Sequence, residues 1–170
     1  MLKPPINFKN WIESNRHLLK PPVGNQVVYD QGDFMIMVVG GPNSRKDYHV
    51  DPVEEFFFQL EGDMLLKVIE NGQRADISIK EGEIFLLPKN LPHSPQRFKD
   101  TVGLVIEYKR NEGVLDSFQW YCDDCNYLLH EVSLQLEDIV EQLPPLFKSY
   151  WKDIDSRTCT RCGAVQEPPD

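Results

Sequence analysis

Apolar residues recur along this chain in two rhythms. In INFKNWIESNRHLLKPP, residues 6–22, Phe8, Trp11, Ile12, Leu18 and Leu19 fall at roughly helical spacing. Asn7 stands ready as an N-cap there, and Pro21-Pro22 closes the run. From residue 26 to 108 the rhythm shortens. QVVYD, FMIMVVGG, EEFFFQLEG, MLLKVIENG, ADISIKEG, EIFLLP and TVGLVIEYK read as β runs, punctuated by Gly40-Gly41, Glu61-Gly62, Asn71-Gly72 and Glu81-Gly82. Strands recurring about every ten residues predict an all-β sandwich or barrel. Helical spacing returns in SLQLEDIVEQL, where Leu136, Ile139, Val140 and Leu143 share a face that ends at Pro144-Pro145. The expected division is residues 1–115, a barrel with its N-terminal helix, and residues 116–170, a helical C-terminal segment stapled by metal and packed on the barrel.

Composition narrows the classes. A chain of 170 residues, 41% apolar and 26% charged, is one ordinary globular domain with a small appendage. Its net charge of −9 speaks against nucleic acid or an anionic membrane as partner. An anionic substrate would need specific arginines to hold it against that background. No apolar run reaches the length of a membrane span, and MLKPPINFKN has no signal-peptide core, so a cytoplasmic protein is expected. In a reducing compartment, the four cysteines in two CxxC pairs point to metal rather than disulfides.

Two sets of residues carry chemistry. In YHVDPVEEFFFQLEG, counting along a strand from His49 gives Asp51 and Glu55 the same facing and Glu54 the opposite one, although Pro52 can interrupt the strand. With His93 of LPHSPQR, His49 and Glu55 make two imidazoles and one carboxylate. That facial set leaves positions open on one side of a metal and suits non-haem Fe(II), with zinc or manganese as alternatives. Taken singly, a histidine such as His93 is more often a loop residue; the pair carries the reading. Glu54 reads as a surface carboxylate, His17 and His130 as ordinary polar residues, and Phe57 and Phe58 as core. The second set is Cys122-x2-Cys125-x33-Cys159-x2-Cys162. Four thiolates make a closed tetrahedral site for iron or zinc, structural rather than catalytic because no position stays open.

The spacing His49-x-Asp51-x3-Glu55-x6-Gly62 resembles the first cupin motif, with aspartate where the second histidine stands. Gly82-x5-Pro88-x-Asn90-x2-His93-x3-Arg97 resembles the second, with arginine in place of its asparagine. Beyond these, PPVGNQ, VVGGPNSRKDYH, EEFFFQLEG, EGEIFLLPKNLPHSPQR and TVGLVIE resemble the 3-hydroxyanthranilate 3,4-dioxygenase family, in the bacterial and fungal form with a rubredoxin-like C-terminal site. The resemblance implies a mainly β, jelly-roll cupin barrel and extradiol-type ring cleavage of 3-hydroxyanthranilate by O2. The product would be 2-amino-3-carboxymuconate semialdehyde, on the kynurenine route to quinolinate. It implies that His49, Glu55 and His93 hold Fe(II), and that Cys122, Cys125, Cys159 and Cys162 hold a second iron, or zinc. Arg97 would bind the substrate carboxylate, Arg45 would line the cavity, Glu107 would meet the ring's amino or hydroxyl group, and Asn25 would complete the pocket. A homodimer, joined at an exposed edge strand, is expected from the same resemblance. The alternatives are a non-catalytic cupin carrying an aromatic acid and a cupin isomerase acting on a sugar.

Overall fold

Asn7 caps the first helix with its own side chain, Oδ1 accepting from Asn10 N at 3.0 Å. Helix α1 runs Phe8–Asn15 and tightens into a 3-10 turn at Arg16–Leu18. The computed structural model describes residues 4–21, 24–29 and 31–169. Pro22 of the expected helix stop and Asp30 of the expected first strand lie outside those residues. The apolar stripe of α1 is real: Ile12 and, beyond the turn, Leu19 bury against Val38 and Val102. Leu18 points outward instead.

All seven expected β runs form strands, and four more join them. In chain order they are β1 Asn25–Tyr29, β2 Phe34–Gly40, β3 Asp47–Val50, β4 Glu55–Glu61, β5 Met64–Glu70, β6 Gln73–Ile79, β7 Ile84–Leu87, β8 His93–Arg97, β9 Val102–Tyr108, β10 Asp116–Tyr121 and β11 Leu128–Leu134. They form two antiparallel sheets, β1-β2-β9-β4-β7 and β11-β10-β3-β8-β5-β6. Alternate residues of both face inward, so Met37, Val39, Phe57, Leu66, Val68, Ile79, Leu87 and Val105 share one core. Phe57 belongs to that core; Phe58 faces the other way and is half-buried.

The strands that hydrophobic rhythm does not pick out are instructive. Strand β8, HSPQR, buries His93 and Arg97 instead of apolar side chains. Strands β10 and β11 lie beyond residue 115 and continue the six-stranded sheet: β10 pairs with β3 on one side and β11 on the other. The predicted helix also moves. Residues up to Leu134 belong to β11, and α2 spans Ile139–Lys152, running through Pro144 and Pro145 rather than stopping there. Asp138 starts it, Oδ1 accepting from Glu141 N at 3.1 Å. Each interior proline costs about 3 kcal/mol. Leu143 and Tyr150 bury against Phe118 and Trp120, with Leu146, Phe147 and Trp151 alongside; at about 1.5–3 kcal/mol per large apolar side chain, that face outweighs both prolines. Helix α3, Ile154–Arg157, then turns the chain toward the second cysteine pair.

Candidate metal centre

His49 and Glu55 reach one point from opposite sheets. The chain does not run straight between them: Pro52 and Val53 bend, and Asp51 Oδ1 accepts from Val53 N at 2.9 Å to close the turn. Counting strand parity across this bend therefore has no structural basis, yet its outcome for facing stands. Glu55 is 5% exposed inside the barrel, while Glu54 is exposed outside it. His93 comes from β8, where it pairs directly with His49 across the ladder. The donor atoms of His49, Glu55 and His93 all lie within 4.8 Å of one another.

The protonation pattern around this trio fits a cation. Leu91 O can only accept, so the 3.0 Å contact from His93 Nδ1 puts the hydrogen there and leaves the Nε2 lone pair facing Glu55. Nε2 and Glu55 Oε1 are 2.8 Å apart, yet Oε1 is buried with no donor directed at it. Two lone-pair atoms that close need a positive charge between them. On the other side His49 Nε2 meets Asp116 Oδ1 at 2.8 Å, which turns His49 Nδ1 toward Glu55 Oε1 at 3.7 Å. Burial pushes the His49 imidazole below its ordinary pKa despite Asp116, which favours the neutral form a metal would need. Burial pushes the Glu55 carboxyl upward, and only positive charge beside it, on the imidazoles, Arg110 or a bound cation, holds it ionised. Two imidazoles and one carboxylate thus converge, and they suit a first-row divalent metal. Phe118 stacks on His49 at a centroid distance of 5.0 Å and closes the back of the site.

The cavity in front of the trio is lined by Asn25, Arg45, Arg97, Glu107, Phe57 and Leu143, among others. Arg97 is 3% exposed and donates through Nη1 to Gln59 Oε1 at 3.2 Å. No carboxylate lies within ion-pair distance of it among the described residues. Burial lowers its pKa to about 10 while Glu55 pulls upward, so the guanidinium stays charged near neutrality. Arg45 is tied to Asp47, Nε to Oδ1 at 3.1 Å. Glu107, in register with Glu55 on the neighbouring strand, pairs with Arg110. Its carboxyl is raised to about 7, first by burial and then by Glu55, against the pull of Arg110. Asp51 does not complete the trio: its Oδ2 accepts from Arg110 Nη2 at 2.6 Å.

The cysteines gather at the end of β10. Cys122 and Cys162 Sγ are 3.5 Å apart, and Cys125 and Cys159 3.6 Å. That exceeds a disulfide but matches the edge of a tetrahedron with metal–sulfur bonds of about 2.3 Å, roughly 3.8 Å. The two turns are alike. Asn126 N donates to Cys122 O at 3.1 Å and Gly163 N to Cys159 O at 2.9 Å, with φ of 59° and 80° at these residues. Gln166 pins the tail by accepting from Tyr150 Oη at 2.7 Å and donating to Tyr121 O at 2.9 Å.

Sequence reasoning missed Gln59, Arg110 and Asp116. Gln59 and Asp116 are almost wholly buried, and only the side-chain atoms of Arg110 are. Gln59 carried a readable signal, a polar residue at an inward position of a β run. Arg110 and Asp116 flank a turn, where charges are expected, and carried none.

A family profile described as 3-hydroxyanthranilic acid dioxygenase matches residues 1–151. A curated 3-hydroxyanthranilate 3,4-dioxygenase from Jannaschia sp. is 55% identical, over 97% of this chain and 94% of its own. Those of Ruegeria pomeroyi (53%; 97% and 94%) and Xanthomonas campestris (52%; 100% and 96%) are similar over comparable lengths. Among solved structures, a Neisseria meningitidis protein superposes with a TM-score of 0.51 at 22% identity, over 62% of this chain and 100% of that one. A cupin-2 domain containing protein from Shewanella frigidimarina gives 0.50 at 19%, over 61% and 94%. These two likenesses are of fold: a cupin barrel.

Proposed function

The chain belongs to the 3-hydroxyanthranilic acid dioxygenase family, and from that premise we propose how its own residues bind and open the ring. It is a ring-cleaving dioxygenase acting on 3-hydroxyanthranilate and O2, on the kynurenine route to quinolinate. The observation that carries the substrate pose is Arg97, a buried cation without an anionic partner among the described residues, facing the same cavity as His49, Glu55 and His93. A carboxylate on the ligand would complete it as a bidentate pair.

Our assignment gives His49, Glu55 and His93 to Fe(II), which supplies a Lewis-acidic, redox-active position where the ring's oxygen and O2 meet. The four cysteines would hold a second iron, or zinc, as a structural staple. Arg97 fixes the ring through its carboxylate, so the 3-hydroxyl is directed at the metal ligands. Glu107 is poised to take the phenolic proton, since a carboxyl raised to about 7 holds a proton far better than an ordinary glutamate. Arg45, anchored by Asp47, presents positive charge to the cavity wall, and Asn25 supplies a polar contact. Phe57, Val105 and Leu143 keep the reacting face apolar. The product would be 2-amino-3-carboxymuconate semialdehyde.

The unpaired thiols suit the reducing cytoplasm as its place of work. A homodimer is our reading of the outer face of the five-stranded sheet. There α1 covers Val38, Leu60 and Leu104. Beyond its reach Ile36, Ile106, Phe56 and Leu86 line up in register, beside Phe58 and Ile84. Ile84 and Leu86 are 65% and 57% exposed. An apolar row of this length asks for a partner, and a two-fold copy of itself matches it. The face, more than an edge strand, supports the contact.

The test separates carboxylate reading from general binding. Losing a charge-assisted bidentate pair costs about 1.5–3 kcal/mol, roughly ten- to a hundredfold in affinity. Arg97→Ala should raise the KM for 3-hydroxyanthranilate by that factor with metal retained. The carboxylate-free analogue 2-aminophenol should bind weakly to both proteins and lose little more in the variant. Equal weakening of both ligands would sink the pose.

A further inference from the structure

Arg110 leaves the end of β9 three residues past Glu107, with its side chain only 8% exposed. Its guanidinium serves three carboxylates from three parts of the chain. Nη1 donates to Glu107, Nη2 to Asp51 Oδ2 at 2.6 Å and to Asp116 Oδ1 at 2.9 Å, and Nε to Asp116 Oδ1 at 3.1 Å. The same Asp116 oxygen faces His49 Nε2 at 2.8 Å, while Asp116 Oδ2 has no partner. Asp116 is completely buried. One oxygen therefore gathers three N–H donors, two from Arg110 and one from His49.

This geometry constrains His49. A histidine offering one nitrogen to a metal is oriented by the acceptor that its other nitrogen finds. The acceptor here is Asp116 Oδ1. If it drifted, the ring would turn about its Cβ–Cγ bond and carry Nδ1 away from Glu55. Among the described residues, the hydrogen bonds that hold that oxygen, apart from the one with His49 itself, come from Arg110. The same guanidinium, through its other arm, holds Glu107. Only a planar fork with five donors spans such a set; a lysine ammonium delivers three donors from one point. Arg45, by contrast, pairs with Asp47 alone among the described carboxylates.

We propose that Arg110 and Asp116 act as one positioning relay, in which Asp116 sets the ring of His49 and Arg110 fixes Asp116 and Glu107 relative to each other. Asp116 lies behind His49, and Arg110, although it lines the cavity, spends its donors on the three carboxylates. The relay rests on the assignment of His49 as ligand and Glu107 as base made above, and it explains why a single buried arginine joins β9, β10 and the bend before β4. Uncoupling it should loosen the metal site and misplace the base together.

The experiment uses metal-free full-length protein and Mn(II), followed by the EPR signal of the free ion. Manganese prefers imidazole and carboxylate to thiolate, so the cysteine site stays silent. Arg110→Lys and Asp116→Asn should each weaken Mn(II) binding about tenfold, toward a hundredfold for the arginine. The double variant should be no worse than the weaker single one, because both break the same unit. In the iron-loaded enzyme kcat should fall further for Arg110→Lys, which also frees Glu107, while KM moves little because Arg97 is untouched. Wild-type Mn(II) affinity in folded Arg110→Lys, or fully additive losses in the double variant, overturns the relay. Should Arg110→Lys fail to fold, Asp116→Asn decides by itself, and an unchanged affinity there overturns it. Glu55→Ala is the control: if it too leaves Mn(II) affinity intact, the metal-site assignment has failed rather than the relay.

Discussion

Gly103 on β9 and Arg97 on β8 touch with no side chain between them. A Cβ at position 103 would fall onto Arg97 Nη1 and lie 2.8 Å from Gln59 Oε1. The bare backbone is the space in which the guanidinium lies. Gly103→Ala should therefore displace Arg97 without touching a metal ligand. The expected result is a KM for 3-hydroxyanthranilate raised about tenfold or more, with catalytic metal content unchanged. Steady-state kinetics beside metal analysis would decide it, and an unchanged KM would mean that Arg97 does not meet the substrate.

Glu55 and Glu54 are adjacent but face opposite ways. Glu55→Ala should abolish metal binding at the catalytic site, and activity with it. Glu54→Ala should leave turnover within about threefold, as surface substitutions usually do. Equal loss in the two variants, measured by metal content and oxygen uptake, would contradict the placement of Glu55.

The four cysteines lie outside the cavity lining. Cys122→Ser or Cys162→Ser should remove one metal per chain and lower the melting temperature. The protein that stays folded should still open the ring at its catalytic metal. A folded variant with that metal in place and no turnover would tie the thiolates to the chemistry.

Arg16 fastens the N-terminal helix to the end of β4, its Nη1 and Nη2 at 2.8 and 2.9 Å from the Glu61 carboxylate. Arg16 holds the Glu61 carboxyl below its ordinary range. A depressed folded-state pKa contributes stability above the unfolded value, about 4.3, and loses it as pH falls through the folded one. Arg16→Gln should thus lower the melting temperature at pH 7, and the gap from wild type should close in acid. A gap that persists once Glu61 is protonated would show that Arg16 acts by packing instead.

The apolar outer row predicts its own disruption. Leu86→Asp places a charge in the middle of that face and should yield monomers in sedimentation at micromolar concentration, with the barrel still folded. If wild type already sediments as a monomer, this face is not a dimer contact.

Much of this was legible before the fold was known, for reasons that differ by residue. Strands such as FMIMVVGG announce themselves because one face of each meets the core. His49, Glu55 and His93 were readable as a set, since their spacings coincide with those that a barrel brings together. Strand β8 hid because His93 and Arg97 occupy the inward places where apolar residues would mark it. Helix α2 was misplaced because its prolines act locally as breakers, while Leu143, Tyr150 and Trp120 meet only in three dimensions. Arg110 and Asp116 could not be found at all. Their meaning lies in contacts such as the one from His49 to Asp116, 67 positions apart in sequence.

That separation sets an order of events on the ribosome. The three residues assigned to the metal have all been synthesised once His93 is made, but β3 then has a single ladder pair to β8 on one side and its other neighbour, β10, is still to come. Its second neighbour, β10, brings Asp116 to His49 and Phe118 against the ring, and it is among the last strands made. A nascent chain ending at residue 115 carries His49, Glu55 and His93 and lacks the strand that brings Asp116 to His49. The pairing that completes the barrel closes a long loop and is slow for that reason. Under the metal-site assignment proposed above, the site would reach its full geometry only with the chain's final third, once β10 has paired with β3.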